Sequence, residues 1–285
     1  MIPAAFDYVR AASVDDALAL LAEGDGETKV LAGGMSILPL MKLRLARPAR
    51  LVDIGRLAEL RGVRSLADGR VAIGAATTYD ELLRDPTMQH YGVMRDALPN
   101  IGDVQVRNRG TIGGAISHAD PASDMPAILL AFDAEVVARS VRGERVIPMA
   151  SCITGPFTST IAADELVTEI RMPAGRPHFG SAYRSIEQPA SGYSIAGAAA
   201  IVGRAAAGGP WTACMVGVAG VSDAPYRASA VEAAFLAGAS PADAAGHATD
   251  GIAVASDIHA DREYRAHVAA VQVRRALEAA IARAG

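Results

Sequence analysis

Two segments with paired glycines, Ala32-Gly33-Gly34-Met35-Ser36 and Thr111-Ile112-Gly113-Gly114-Ala115, set the tightest limit on what this chain can become. Each follows residues that can lead the backbone into a turn, and neither contains a lysine or arginine. A residue without a Cβ lets a ligand come within hydrogen-bonding distance of bare backbone amides. Successive amides in such a turn make a concave anion nest, and a nearby Ser or Thr hydroxyl adds a donor. A single Gly-Gly pair is most often only a turn. Two such loops on one chain suggest two walls of one pyrophosphate site, which makes a nucleotide cofactor the expected ligand. Neither segment fits Gly-x-Gly-x-x-Gly or Gly-x-x-x-x-Gly-Lys-Ser/Thr, so Rossmann and P-loop architectures lose support.

The chain has 285 residues, 51% of them hydrophobic, enough for sizeable cores in two or three domains. Its 28 glycines and 5% aromatic content favour a loop-rich α+β protein. A net charge of −4 argues against nucleic-acid or anionic-membrane binding, which needs a basic face. There is no apolar run of transmembrane length and no basic-then-apolar leader, so a cytoplasmic location is expected. Cys152 and Cys214 are the only cysteines, too few for an ordinary iron–sulfur cluster. No two histidines stand at His-x-x-x-His spacing, which disfavours a zinc site. Redox chemistry here would have to be carried by a bound organic cofactor.

Along the chain, Ser13-Val14-Asp15-Asp16 reads as a helix start and Asp16 to Leu21 has helical apolar spacing. Lys29 to Leu31 and Leu51 to Gly55 read as short strands, with an apolar helix from Ile37 toward Pro48 between them. A second unit opens with a strand at Val71 to Gly74. Thr78-Tyr79-Asp80-Glu81 then gives a capping box before a helix that stops near Pro86. Val93 to Leu98 and Ala127 to Phe132 are helix candidates, separated by a long polar loop over 100–114. Arg142-Gly143 joins a hairpin, Glu135 to Val141 with Glu144 to Pro148. From about residue 178, three strands (181–186, 194–202, 212–221) precede helices at 229–236 and 261–284. In the last of these, Val268, Val271, Leu277 and Ile281 fall roughly on one face. Strands followed by helices indicate an α+β layer rather than a repeating βαβ domain.

Several side chains near the second glycine loop admit two readings. Asp120 and Asp124 stand at i, i+4 and would share a helix face. Either could receive ribose hydroxyls or cap the following helix, and capping suits Asp120, because Pro121 fits the first helical position. His118 is more readily a structural histidine than a cofactor contact. Tyr193, in a Ser-Gly-Tyr turn, could stack on a planar ring or be merely half-buried. Arg107 and Arg109 are expected to be solvated or structural. No catalytic nucleophile or metal ligand set is evident.

At these loops the chain resembles a known family, the FAD-binding medium subunits of molybdenum hydroxylases of the carbon monoxide and xanthine dehydrogenase group. The resemblance spans nearly the whole length. It is carried by Ala32-Gly33-Gly34-x-Ser36 with Leu38-Pro39, and by Gly102-Asp103-Val104-Gln105-Val106-Arg107-Asn108-Arg109-Gly110-Thr111-Ile112-Gly113-Gly114. His118-Ala119-Asp120-Pro121-Ala122-Ser123-Asp124, Glu165-Leu166-Val167 and Tyr264-Arg265 also fit. The resemblance implies an α+β fold: a two-part FAD-binding domain of the PCMH type, then a C-terminal domain of a three-stranded antiparallel sheet with helices. The implied boundaries are 1–55, 56–177 and 178–285. It implies that both loops, Ala32 to Ser36 and Thr111 to Ala115, clasp the FAD pyrophosphate. Ile101 and Leu166 become apolar cofactor contacts, Asp124 the acid on the nucleotide portion and Tyr193 the aromatic beside the isoalloxazine. Arg184 takes the place of a lysine near the flavin.

Two departures stand out. Met35 replaces a polar residue of the first loop and Ala115 the usual Ser or Asn ending the second. Backbone donors survive both changes, while two side-chain hydrogen bonds of about 1 kcal/mol each are lost. Neither loop has a histidine or cysteine for covalent flavin attachment. The function implied is electron transfer: from [2Fe–2S] clusters on a small subunit, through FAD here, to an external acceptor. A large partner would bear the molybdenum cofactor. The assembly implied is a dimer of heterotrimers, cytoplasmic or held at the inner face of the membrane. The other readings are a stand-alone FAD-dependent oxidase or reductase, and a scaffold that has lost FAD.

Overall fold

Helix-start chemistry and parallel pairing build the N-terminal part of a computed structural model that describes residues 2–24 and 26–285. Strand β1 (Asp7–Arg10) leads into helix α1 (Val14–Glu23), whose N-cap Ser13 hydroxyl accepts the Asp16 amide at 3.1 Å. Such a cap contributes about 1 kcal/mol. The helix buries Val14, Ala17, Leu18 and Leu21, the i, i+3, i+4, i+7 stripe of an amphipathic helix. Strand β2 (Thr28–Leu31), helix α2 (Ile37–Lys42) and strand β3 (Arg50–Asp53) follow. The three strands form a parallel sheet in the order β1-β3-β2. This opening segment is therefore a small βαβαβ unit, in which strand β1 joins the two strands and two helices that the sequence predicts. Its edge strand β1 is mostly exposed and lacks apolar alternation, so it left no pattern to find. Helix α2 ends six residues before Pro48, at Lys42.

The second sheet is antiparallel and begins with strands β4 (Val63–Ser65) and β5 (Val71–Gly74). Helix α3 (Tyr79–Arg84) starts at the capping box: Thr78 receives the Glu81 amide while Glu81 receives that of Thr78. Helix α4 (Gly92–Ala97) comes next. The stretch 100–114 is not the plain loop expected, for it holds helix α5 (Val104–Arg107) and the start of α6 (Ile112–His118). Asp103 and Thr111 cap these two helices with their side chains. Ala119 ends α6 in the left-handed region, at φ 54°. Helix α7 (Asp124–Ala131) is buried along its entire length. Strands β6 (Glu135–Ser140) and β7 (Gly143–Pro148) make the expected hairpin, followed by helix α8 (Met149–Cys152) and the small hairpin β8 (Ile153–Gly155), β9 (Thr158–Ser159). Strand β10 (Leu166–Met172) then returns to the middle, giving the order β4-β5-β10-β6-β7.

In the C-terminal part, strands β11 (Phe179–Glu187), β12 (Ser194–Arg204) and β13 (Trp211–Ala219) form an antiparallel meander. The expected three strands gain a fourth, the two-residue β14 (Tyr226–Arg227) on the β13 edge. Helices α9 (Ser229–Leu236), α10 (Pro241–Ala245) and α11 (Arg262–Arg283) complete the chain. The buried face of α11 runs through Val268, Gln272, Val273, Ala276, Leu277 and Ala280; Val271 and Ile281 are only half-buried. Alternation along β12 divides its side chains between two cores. Ala196, Ala198, Ala200 and Val202 join the core shared with α9 and α11, whereas Ala199 and Ile201 join the core of the central unit. These small side chains let helices lie close on both faces. A Cβ on Gly180 would overlap the Ala280 carbonyl of α11, and one on Gly217 the Ala127 carbonyl of α7. The sheet is thus a shared wall, and it brings the β11–β12 turn over the α6–α7 region.

Candidate functional site

A cleft of about 530 Å³ opens between the N-terminal parallel sheet, the α5–α7 segment, the loop before β10 and the β11–β12 turn. Its size lies within the usual range for a small-molecule site. Of the fifteen residues assigned to the cofactor from the sequence, thirteen line it. They are Ala32, Gly33, Gly34, Met35, Ser36, Ile101, Thr111, Gly113, Gly114, Ala115, Asp124, Leu166 and Tyr193. Ile112 does not: its side chain is fully buried in the central core and its amide goes to the Thr77 carbonyl at 3.1 Å.

Arg184 is the other exception. Its guanidinium donates to Asp96 at 2.7 Å and to the Tyr183 carbonyl at 2.6 Å. Asp96 also receives two hydrogen bonds from Arg283, each at 2.8 Å. Burial works against the Asp96 carboxylate, yet the Arg283 hydrogen bonds, the Tyr183 amide and both arginine charges hold its pKa below the usual value. The expected cofactor contact is instead a clasp between α4, β11 and the last helix.

The two glycine loops touch. Gly33 can have no Cβ, because one would overlap the Arg109 carbonyl just before the second loop, and Arg109 Nε reaches back to the Gly33 carbonyl at 3.4 Å. Gly113 packs on β5, where an added Cβ would lie 2.6 Å from the Ala75 Cβ. Gly114 is different: the nearest atom to an added Cβ is the Thr111 hydroxyl at 2.8 Å, on its open side. Bare backbone is therefore needed at Gly33 and Gly113 for loop packing, not only for ligand approach.

The donors of the loops are disposed unequally. Among the described residues, the amides of Gly33, Gly34, Met35 and Ser36 donate to no protein acceptor. In the second loop, Ile112 donates to Thr77, Gly113 to Ala75, Gly114 to the Thr111 hydroxyl and Ala115 to the Thr111 carbonyl. Only the first loop offers an open row of amides. Ser36, at the start of α2, makes no capping hydrogen bond with its hydroxyl, so that donor faces the cleft as well. Lys29 is the one Lys or Arg among the lining residues.

Asp124 stands at the first position of α7, nine-tenths buried, and its Oδ1 accepts from Tyr183 at 2.5 Å and from Ser194 at 2.6 Å. Burial pushes its pKa up to about 6, against the lowering effect of the Ser194 and Tyr183 hydroxyls. Both hydroxyls come from the C-terminal sheet, so a carboxylate of the cleft is anchored by strands β11 and β12. Asp120 does not cap α7. It accepts the Ala122 amide at 2.9 Å in the turn that follows α6, and Ser123 takes the N-cap position. The two aspartates share no helix, since α6 has ended at Ala119. His118 lies 4.0 Å from Asp120 and beside Phe157, and burial lowers its pKa. Arg107 donates to the Gly102 carbonyl at 2.8 Å, a structural role, as expected.

Tyr193 occupies the tip of the β11–β12 turn, half-exposed, with its ring on the cleft. The turn is closed by the Gln188 amide on the Tyr193 carbonyl at 2.8 Å. Ile101, Val106 and Leu166 add apolar surface to the cleft, and Gly192 of the turn lies beside Gly102. Sequence reasoning missed Tyr79, Val106, Ser117 and Ser159 as lining residues. Only Tyr79 carried a usable signal, its position beside the Thr78 capping box. The arrangement, with open amides at one end and apolar and aromatic walls elsewhere, suits a ligand with an anionic middle and a planar ring. Cys152 and Cys214 are buried in separate cores, away from the cleft, and burial raises their pKa to about 11 and about 12. Among the described residues, no helix is long and apolar enough to cross a membrane.

Comparison with known proteins agrees with this geometry. Residues 4–175 match the FAD binding domain in molybdopterin dehydrogenase, and residues 181–280 match the CO dehydrogenase flavoprotein C-terminal domain. The 6-hydroxypseudooxynicotine dehydrogenase complex subunit alpha of Paenarthrobacter nicotinovorans is 37% identical over 289 residues, covering 100% of this chain and 97% of that protein. The carbon monoxide dehydrogenase medium chain of Hydrogenophaga pseudoflava is 36% identical, with 99% of each covered. A solved structure of carbon monoxide dehydrogenase from the same organism superimposes with a TM-score of 0.94 at 38% identity, covering 99% of both chains.

Proposed function

The chain belongs to the family of FAD-binding medium subunits of molybdenum hydroxylases, and from that premise we propose that its cleft holds FAD with the diphosphate on the open amides of Gly33 to Ser36. It is the flavoprotein subunit of a molybdenum-containing oxidoreductase, and in such complexes the molybdenum and iron–sulfur centres belong to other subunits. The single observation that carries the site assignment is the row of amides without a protein acceptor in a cleft that also presents apolar side chains, Tyr193 and Asp124. A dianionic diphosphate matches N–H donors that have no protein acceptor, without needing a cationic side chain. The residues present thus fit the group.

Bound in this cleft, FAD would supply the redox chemistry by which such a subunit relays electrons from iron–sulfur clusters of a partner to an external acceptor. The chain's own residues bind and orient it. Ser36 and Thr111 add hydroxyls beside the amides; Ala32, Gly34, Gly113, Gly114 and Ala115 shape the floor; Ile101, Leu166 and Tyr193 exclude water from the ring. Asp124 accepts hydrogen bonds from the nucleotide portion through the oxygen not held by Tyr183 and Ser194. Met35 and Ala115 offer no side-chain hydrogen bond at the two loops, so the backbone donors make up most of the hold.

The sheets suggest three structural units, 1–55, 56–177 and 178–285, with the cleft where they meet. The assembly proposed is a dimer of heterotrimers with a molybdenum-bearing large subunit and an iron–sulfur small subunit. The cytoplasm is its proposed location, and any association with the inner face of the membrane would come through the partners. Substrate selectivity is assigned to the molybdenum-bearing partner, since no catalytic group of this chain is needed for hydroxylation.

The test is the absorption spectrum of the purified full chain, alone and after addition of FAD. Bands of oxidised flavin, with the flavin released on denaturation, are expected. A chain that neither retains nor takes up FAD would overturn the reading in favour of a scaffold. Oxidation of a small alcohol or amine by the chain without partners would favour a stand-alone oxidase.

A further inference from the structure

Tyr79 occupies the first position of α3, next to the second glycine loop, and its position is fixed from several sides. The capping box at Thr78 and Glu81 sets the start of the helix. Thr78 pairs with Thr111 as an isolated antiparallel bridge, and the Tyr79 amide donates to the Gly110 carbonyl at 3.0 Å. The ring lies flush against Gly110, where an added Cβ would sit 3.1 Å from its Cδ2 and Cε2 atoms. Tyr79 is 6% exposed and belongs to the central hydrophobic core, yet it also lines the cleft.

Its hydroxyl is the anomaly. Among the described residues, Tyr91, Tyr183 and Tyr226 place their buried hydroxyls on a carbonyl or carboxylate, whereas the Tyr79 hydroxyl has no protein partner. Tyr79 lines the cleft together with Asp124 and Tyr193, and its hydroxyl is not among the enclosed polar atoms, so its phenolic end opens to the cleft. Burial, reinforced by those two groups, raises its pKa and keeps the proton on. Among the described residues only Arg204 Nε and Arg265 Nε are fully enclosed without a partner, so the Tyr79 hydroxyl keeps an accessible edge in the open cleft, a donor available to a ligand acceptor.

We propose that Tyr79 is a cofactor-binding residue whose hydroxyl donates a hydrogen bond to an acceptor atom of the FAD bound in this cleft. This rests on the FAD assignment above and adds to it a contact on the wall between the second glycine loop and Asp124. Water serves the hydroxyl while the cleft is open; FAD would expel that water and has to supply the acceptor itself, so the hydroxyl matters in the bound state. With ligand, tyrosine is preferred; without ligand, phenylalanine packs equally well.

The experiment compares the full chain, stripped of flavin, with its Tyr79→Phe variant by FAD titration and by thermal unfolding of the apoprotein. The expected result is a dissociation constant for FAD raised about five- to tenfold, the loss of one ordinary hydrogen bond. The apo variant should unfold at the same temperature as the apo wild type or higher. Unchanged FAD affinity with wild-type binding intact would overturn the proposal, and so would a lowered apo unfolding temperature, which would show an internal structural role. Failure of the wild-type chain itself to bind FAD would instead overturn the cofactor assignment. Tyr79→Leu, which loses the ring as well, distinguishes packing from hydrogen bonding, because it should destabilise the apoprotein while Tyr79→Phe does not.

Discussion

In the first glycine loop the amides of Gly33, Gly34, Met35 and Ser36 meet no acceptor among the described residues; in the second, Ile112, Gly113, Gly114 and Ala115 each give theirs to Thr77, Ala75 or Thr111. The loops have the same glycine pair and opposite use for it. The first leaves its donors without a protein acceptor in a segment that lines the cleft. The second spends its donors on becoming the first turn of α6 and on fastening that turn to β5, and its glycines permit the close approach this requires. The lesson is that glycine content reports how near another atom comes, without saying whether that atom belongs to a ligand or to the protein.

The largest effect should come where the loops meet. Gly33→Ala drives a methyl group into the Arg109 carbonyl, which is backbone and cannot swing aside. A loss of about 3 kcal/mol in stability is expected, together with loss of FAD retention, read by denaturant unfolding and flavin content. Wild-type stability in this variant would mean that the contact between the loops is dispensable.

A slightly smaller effect should come from Asp124. Its ordinary pKa of 3.8 is raised to about 6 by burial, so between those values the folded apoprotein holds a proton that the unfolded chain has lost. Unfolding then releases a proton, and stability falls as pH climbs from about 4 to about 6, by roughly 3 kcal/mol, and is level above. Asp124→Asn should abolish that part of the slope in urea unfolding of the apoprotein across this range. An unchanged slope would show that the Tyr183 and Ser194 hydroxyls fully offset burial.

The smallest effect separates the two uses of glycine within the second loop. Gly114→Ala meets only the Thr111 hydroxyl, and pushing it aside loosens the cap it makes on the Gly114 amide. That costs about 1 kcal/mol, which a better helix former in the first turn of α6 partly offsets. Apo stability should fall by no more than about 1 kcal/mol, while FAD affinity falls about tenfold, or 1.4 kcal/mol, if the ligand approaches bare backbone there. Full retention of affinity would reduce the second loop to a supporting role and leave the grip to the first.

Much of the local structure was written in short-range signals. Ser13, Thr78 and Asp261 start helices where their side chains predict, and Ser229–Leu236 is a helix over the residues expected. Central strand β10 was not legible, because Glu169 and Arg171 interrupt its apolar pattern. Glu169 is tolerated there through ion pairs with Arg64 and Arg171, partners that lie on another strand and at i+2. Asp120 misled for a related reason: a proline after an aspartate suits a helix start, and here the turn it begins ends before α7 does begin.

The sequence by itself determined the helix caps, the hairpin, the C-terminal meander and the two loops that border the cleft, since each depends on residues a few positions apart. Only the tertiary structure decided which loop keeps open amides, that Arg184 is committed to Asp96, and that Tyr79 reaches the cleft with an unpartnered hydroxyl. Those outcomes depend on where distant carbonyls and carboxylates come to rest, and a hydrogen-bond partner many residues away leaves no mark in the local pattern.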